Sequence, residues 1–306
     1  MSRLTHSFPG LRRAMQMSRT RLFAFVEGKS DRYFYGRICR SICEPAGIAF
    51  EVSSADIISG TGGGKTVLLA FFEYLRQRSS LLDNLHGKTT GSIFFLDKDI
   101  DDVLRTQRRS DHLVYTRYYD LENHIFVQGN LISAAAAVAG LDEDWLRLRL
   151  GDADLWRLKV AEHWKDWVTF CMFSRKRKIR CRYNYGSASC LNVPPQDPPS
   201  AVLKAQHLTA LEALSGRTSH QFRRSMRAIA SLVDYFYARG YHDHVFRGKW
   251  YPELIEEELK AIAGTELLDA SGIRNRIVFA LLMTIDFEGH WAEYFKEPVR
   301  RLIGRL

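Results

Sequence analysis

Two short, nearly continuous apolar runs, each ending in acid, limit what this chain can fold into more than any other feature. Leu22-Phe23-Ala24-Phe25-Val26 leads into Glu27-Gly28-Lys29-Ser30-Asp31, and Ser92-Ile93-Phe94-Phe95-Leu96 leads into Asp97-Lys98-Asp99. Runs of this length without polar alternation, bounded by glycine and charge, read as strands of a parallel sheet buried on both faces. Open parallel sheets bind ligands beyond the carboxyl ends of their strands. Glu27, Asp97 and Asp99 are therefore expected to converge on one crevice. Three unpaired carboxylates would repel one another there, which points to a bound cation. Hard oxygen donors suit Mg²⁺ or Mn²⁺, ions that keep waters and bridge to a substrate phosphate.

The segments around these runs extend the pattern. Ser30 is placed to cap a helix from Asp31 to Cys43, with Tyr33, Phe34, Ile38 and Ile42 near one face. A second strand is expected within Ile48 to Ile58 and a helix from Lys65 to Arg78, followed by a short helix from Asp101 to Arg108. A fourth strand lies around Leu113 to Tyr118. The order βαβαβαβ implies a small parallel sheet covered on both faces. Beyond Asn130 the periodicity turns helical, through Ala134 to Ala137, Asp144 to Trp167, Leu203 to Leu214, Phe222 to Tyr237, Pro252 to Ile262 and Ile273 to Thr284. Pro194, Pro195, Pro198 and Pro199 mark a stiff connection. Two domains follow: an α/β domain over residues 1–130, and a mainly helical one over 131–306 that carries a short basic β element.

With 306 residues, 46% hydrophobic and 26% charged, the composition is that of a soluble globular protein. No apolar run approaches the roughly 18–20 residues that span a bilayer, so no membrane is expected as a partner. The first twenty residues carry Arg3, Arg12, Arg13 and Arg19 but no apolar core, and a cytoplasmic location follows. The five cysteines form no CxxC pair, which leaves neither a zinc site nor a disulfide framework. A net charge of +9 favours a polyanionic partner.

The string Val26-Glu27-Gly28-Lys29-Ser30-Asp31, followed by Leu96-Asp97-Lys98-Asp99, resembles the signature of the Toprim family, over about Leu22 to Phe126. That domain is shared by topoisomerases, bacterial primases, recombination proteins and nucleases. Tyr115 to Asn123 further resembles a segment of a narrower Toprim group found in bacterial anti-phage systems. The resemblance implies metal-dependent phosphodiester cleavage. Glu27 would be the general acid/base or first metal ligand, with Asp97 and Asp99 as ligands to Mg²⁺ or Mn²⁺. Asp101 or Asp102 would supply a further acid, and Glu122 would complete the cluster, although a carboxylate favoured by a helix N-terminus explains Glu122 equally well. For the narrower group the resemblance implies RNA as substrate, tRNA in particular, with DNA as the alternative. It also implies an ABC-type ATPase partner that sequesters the toxic effector, and a homodimer when active.

Gly60-Thr61-Gly62-Gly63-Gly64-Lys65-Thr66 competes with this, because it ends like a phosphate-binding loop. Three residues separate Gly60 from Gly64 where that loop needs four, and Ser59 stands in the first glycine's place. An NTP-dependent enzyme built on this loop is the alternative, and a non-catalytic adaptor is another. Lys65 is expected near a substrate phosphate. Arg175, Lys176, Arg177, Lys178, Arg180 and Arg182 give six basic residues in eight. Read as a strand, Lys176, Lys178, Arg180 and Arg182 share one face and Ile179, Cys181 and Tyr183 the other. Such a face suits RNA phosphates and stacked bases, and a charged edge strand is the plainer account. Arg217, Arg223, Arg224 and Arg227 would extend the patch or be plain surface arginines, and Arg247-Gly248-Lys249-Trp250 reads equally as a phosphate contact through Lys249 or as a turn before the helix at Pro252. His242-Asp243-His244 has no second ligand cluster and is expected to be hydrogen-bonded or exposed.

Overall fold

The computed structural model describes residues 5–183, 185–186, 200–264 and 272–306, and these form two compact units. One comprises Met1–Lys98, Gln107–Arg117 and Asp286–Leu306; the other comprises Asp99–Thr106 and Tyr118–Ile285. Contacts thus divide the chain into interleaved segments, not at a single point near residue 130. The proline-rich connection lies outside the described residues.

The first unit holds a mixed sheet of β1 (Leu22–Val26), β2 (Phe50–Ser54), β3 (Leu82–Leu85), β4 (Lys88–Leu96) and β5 (Leu113–Tyr115). β1 lies between β2 and β4 and is parallel to both. The other edge of β4 carries β3 antiparallel along its first half and β5 parallel along its last residues. β3 was not expected. His86 and Gly87 close its hairpin with φ of 52° and 78°, the type I′ geometry that matches strand twist.

Side chains alternate between the two faces of the sheet. Phe23, Phe25, Phe94 and Leu96 pack with Leu11 and Met15 of α1 (Phe8–Met17) and with Leu68, Phe71, Phe72 and Leu75 of α3 (Gly64–Arg76). On the opposite face, Tyr35 of α2 (Asp31–Cys43) stacks on Phe95 at 4.2 Å between ring centroids. Phe295, from a helix over Glu293–Ile303, meets Phe34 and Tyr35 edge-on at 5.7 Å. That last helix covers the sheet beside α2, whereas its place in the sequence had assigned it to the helical domain. An amphipathic stripe says that a helix will be buried but not against what.

The second unit is helical. It contains α4 (Asp101–Leu104), α5 (Leu121–Gln128), α6 (Leu131–Ala139), α7 (Glu143–Leu150), α8 (Ala153–His163), α9 (Lys165–Arg177), α10 (Ala201–Ser215), α11 (Ser219–Ala238), α12 (Tyr251–Ala263) and α13 (Ile273–Thr284); the Glu293–Ile303 helix is α14. Side chains of Asp120, Asn130, Asp142, Asp152, Ser200 and Thr218 each accept a backbone N–H three residues on, which fixes where six helices begin. The ring of Tyr251 lies 5.0 Å from Phe126 and Phe246 and 5.9 Å from Trp156. These rings form the aromatic centre of the unit.

The basic β element is not there. Arg175, Lys176 and Arg177 occupy the last turn of α9, and Lys178 caps it at φ 55°. The described residues that follow, through Arg182, form no strand. Trp167, Val168, Phe170, Cys171 and Phe173 fix the buried side of this helix. Cations in its last turn offset the negative end of its dipole. The parity read from Lys176 to Arg182 therefore began inside a helix. α4 is likewise shorter than expected, because Arg105 turns left-handed at φ 58°.

Two buried histidines make stability depend on pH. The Nδ1 of His112 sits 2.7 Å from the Ser92 carbonyl oxygen, and burial pushes its pKa below 6.5. Burial acts in the same direction on His242, outweighing the Asp243 charge beside it. As pH falls through 6.5 the unfolded chain takes up protons that the folded chain refuses, so stability declines with pH. Melts at pH 7.5 and 5.5 should give the lower Tm at 5.5. His112→Gln, which keeps a donor toward Ser92, should shrink the difference. An unchanged difference in that variant would rule out His112 as a contributor.

Candidate active site

The tips of β1 and β4 set the site in the first unit. Val26 pairs with Phe95, so Glu27 emerges beside Leu96 and Asp97 follows one step beyond. The Asp97 N–H donates to Glu27 Oε1 at 2.8 Å. This bond fixes the orientation of the Glu27 carboxylate relative to the strand that bears the second acid. Asp97 is buried and Glu27 partly so. Asp31 Oδ2 accepts the Gly28 N–H at 2.8 Å and holds the turn after Glu27.

The glycine-rich loop serves the same place. A Cβ on Gly64 would lie 2.6 Å from the Glu27 carbonyl oxygen and 3.1 Å from its carbon, whereas Gly63 has nothing within 4 Å. Gly64 is required so that the start of α3 can press against the β1 tip. The next residue, Lys65, donates from Nζ to the Asp97 carbonyl at 2.5 Å and lies 5.8 Å over the Tyr115 ring. Its cation is thereby set beside the acids.

Lys98, the middle residue of the second acidic motif, is buried. Its N–H donates to Thr116 Oγ1 at 2.8 Å and its Nζ to the Arg117 carbonyl at 2.9 Å, so it ties β4 to the end of β5. Tyr35 is buried under the acids. Burial, and then the charges of Asp97, Asp31 and Glu27, push its pKa well above 10 and keep the phenol protonated. Asp31 was read as the end of the acidic motif and the start of a helix, and Tyr35 only as lying within that helix, yet both belong to the surroundings of the acid pair. Their spacing of four residues on α2, starting in the acidic motif, was the available signal.

The other expected ligands belong to the second unit. Asp99 adopts φ 54° and donates its N–H to the Tyr119 carbonyl at 2.6 Å. In the first turn of α4, Asp101 Oδ1 accepts the Thr106 hydroxyl at 3.2 Å and Asp102 Oδ1 the Val103 N–H at 2.7 Å. Glu122 stands in the first turn of α5, 3.8 Å from Lys249 Nζ. Arg180 is exposed, and Arg182 donates to His207 Nδ1 at 3.3 Å.

The Tyr118–Asn123 part of the Tyr115–Asn123 segment has a clear structural task within that unit. Asp120 and Asn123 form a reciprocal cap on α5 and also accept the N–H groups of Lys249 and Gly248 at 3.3 and 3.1 Å. A Cβ on Gly248 would lie 2.3 Å from the Asn123 nitrogen. Asn123 Nδ2 and the Tyr251 hydroxyl both donate to Asp243 Oδ1 at 2.8 Å. Of the His242-Asp243-His244 triplet, Asp243 is thus built into a hydrogen-bonded core, whereas His242 is buried with neither ring nitrogen hydrogen-bonded, against the expectation that it would be hydrogen-bonded or exposed.

Among the described residues no group of three or more His, Cys, Asp or Glu side chains stands in a metal-holding arrangement. What the first unit does assemble is a pair of carboxylates, Glu27 and Asp97, with Lys65 beside them. No protein-family model and no curated protein matches the chain.

Proposed function

We propose that the chain is a Toprim-type, Mg²⁺-dependent nuclease that cleaves RNA, tRNA foremost. In this reading it is the toxic effector of an anti-phage system, silenced by an ABC-type ATPase and active as a homodimer, as its resemblance to AriB of the PARIS system implies. The observation that carries the proposal is the bond from the Asp97 N–H to the Glu27 carboxylate, at the carboxyl ends of adjacent parallel strands.

The donor set fits the ion. Mg²⁺ is commonly held by only one or two carboxylates, with waters and substrate phosphate completing its octahedron. Glu27 and Asp97 would hold it, and the resemblance adds Asp99, two residues further along the chain. When bound, the ion would offset charge on the scissile phosphate and acidify a water. The residues contribute the rest. The Asp97 amide holds Glu27 in one orientation, which favours proton transfer by a fixed base. Lys65 lies where it can balance anionic charge. The loop containing Lys65 is committed to Glu27 and Asp97 through Gly64 and the lysine amine, which favours the nuclease over the NTP-dependent alternative.

The test is incubation of the purified chain, free of any partner, with bulk tRNA in Mg²⁺. Cleavage that stops on chelation and returns on adding Mg²⁺ is expected, without ATP turnover. ATP hydrolysis lost in Lys65→Ala, with tRNA left intact, would transfer the case to the alternative.

A further inference from the structure

Within the second unit α9 and α11 pack side by side, with Phe173 and Phe222 edge-on at 5.3 Å. Acid and base are segregated along this pair. At one end Lys165 pairs with Asp234 at 2.7 Å, and Lys204 of α10 pairs with Asp166 at 2.7 Å. The other end is different. Arg177 Nη2 and Arg217 Nη1 both donate to the buried Ser225 Oγ, at 3.0 and 3.5 Å. Two guanidinium groups therefore converge on one neutral hydroxyl. Partial desolvation, and to a lesser degree the Arg217 charge, lower the pKa of Arg177.

Ion pairing does not account for the convergence. Arg177 lies in the last turn of α9 and Arg217 just past the end of α10, places that each helix dipole favours for a cation, but neither dipole brings the two groups to one hydroxyl. α11 has no acid in its first turn, yet it carries Arg223, Arg224 and Arg227, all exposed, in its amino-terminal half. Among the described residues, no carboxylate forms an ion pair with any of these five arginines. Two guanidinium groups on one hydroxyl, with no carboxylate partner among the described residues, suit an anion from outside. Guanidinium forks match the paired oxygens of a phosphate better than any other common anion.

We propose that Arg177 and Arg217, fixed by Ser225, form a seat for an RNA backbone phosphate, and that Arg223, Arg224 and Arg227 carry the strand onward along α11. The proposal rests on the RNA-cleaving reading above and replaces the basic strand as the site of RNA contact. A phosphodiester backbone is favoured over an acidic protein surface, because the seat brings two forks to one point and Arg223, Arg224 and Arg227 follow it along a single helix.

The test is fluorescence anisotropy of labelled bulk tRNA with the full chain in Mg²⁺-free buffer, across a salt series. Wild type is compared with Arg177→Ser/Arg217→Ser, and with Arg223→Ser/Arg224→Ser, which alters exposed side chains only; circular dichroism checks that each is folded. Each double variant should bind about tenfold more weakly near 0.1 M salt, with its log–log salt slope shallower by roughly 1.4, about 0.7 per lost contact. Unchanged affinity and slope in both folded variants would overturn the seat, and tRNA cleavage by wild type would leave the nuclease standing. Loss of binding to polyglutamate, but not to tRNA, would also overturn it in favour of an acidic protein partner. Reduced tRNA binding, in a wild type that cleaves nothing, would uphold the seat and remove the nuclease.

Discussion

Glu27→Gln should lower single-turnover cleavage of tRNA by about 10²- to 10⁴-fold, the range that a positioned acid or base contributes. Glutamine keeps an oxygen to accept the Asp97 N–H, so the β1 and β4 tips should stay joined while the charge is lost. Glu27, Asp97 and Asp31 all bear on the buried Tyr35, so neutralising one of them relieves repulsion in the metal-free protein. The Tm of the variant should therefore equal or exceed that of wild type. Asp97→Asn should lose activity to a similar degree. Near-wild-type cleavage by either variant, in a preparation cleared of other nucleases, would show that the acid pair is not the reaction centre.

Asp243→Ala should cause the largest loss of stability. Asp243 is buried, accepts hydrogen bonds from Asn123 and Tyr251, and faces Arg157 Nε at 3.8 Å and His242 Nε2 at 3.5 Å. Arg157 is itself buried, and its remaining carboxylate partner, Asp154, is largely solvent-exposed. Removing one member of a buried charged network costs about 3–5 kcal/mol, because the other charge stays behind. The expected signal is a fall in Tm on the order of 10 °C. Asp243→Asn, which retains an oxygen for Asn123 and Tyr251, should lose less. An alanine variant that melts with wild type would mean that Arg157 finds another anion.

Legibility in the sequence followed the range of the forces involved. α2 and α13 were readable to the residue because apolar spacing is local, although Ser30 does not cap α2 as expected: it is itself helical in φ and ψ and its hydroxyl donates to Asp31 Oδ1. β1 and the end of β4 were readable because buried strands leave unbroken apolar runs. β3 escaped because Leu82-Asp83-Asn84-Leu85 has no such run and owes its place to the His86-Gly87 turn. The basic stretch misled because alternating charge has the same parity on a strand and across a helix end. In the site, Glu27, Asp97 and Lys65 announced themselves by motif. Asp31 and Tyr35 gain their meaning only when α2 folds back on the strand tips. The links from Asn123 to Asp243 and Gly248 span more than a hundred residues, and no spacing rule encodes them.

The interleaving of the units bears on synthesis. Domains that are continuous in sequence can fold as they leave the ribosome, at about 5–20 residues per second. The unit bearing Glu27 and Asp97 cannot finish in that way. Its β5 is made after part of the helical unit, and α14, which covers the face of the sheet against α2, is made only after the rest of that unit. A nascent chain halted anywhere before α14 leaves Phe34, Tyr35 and Phe95 without their cover. The sheet that carries the acids is therefore completed only after the whole helical unit has been made, and shorter nascent chains leave it unassembled.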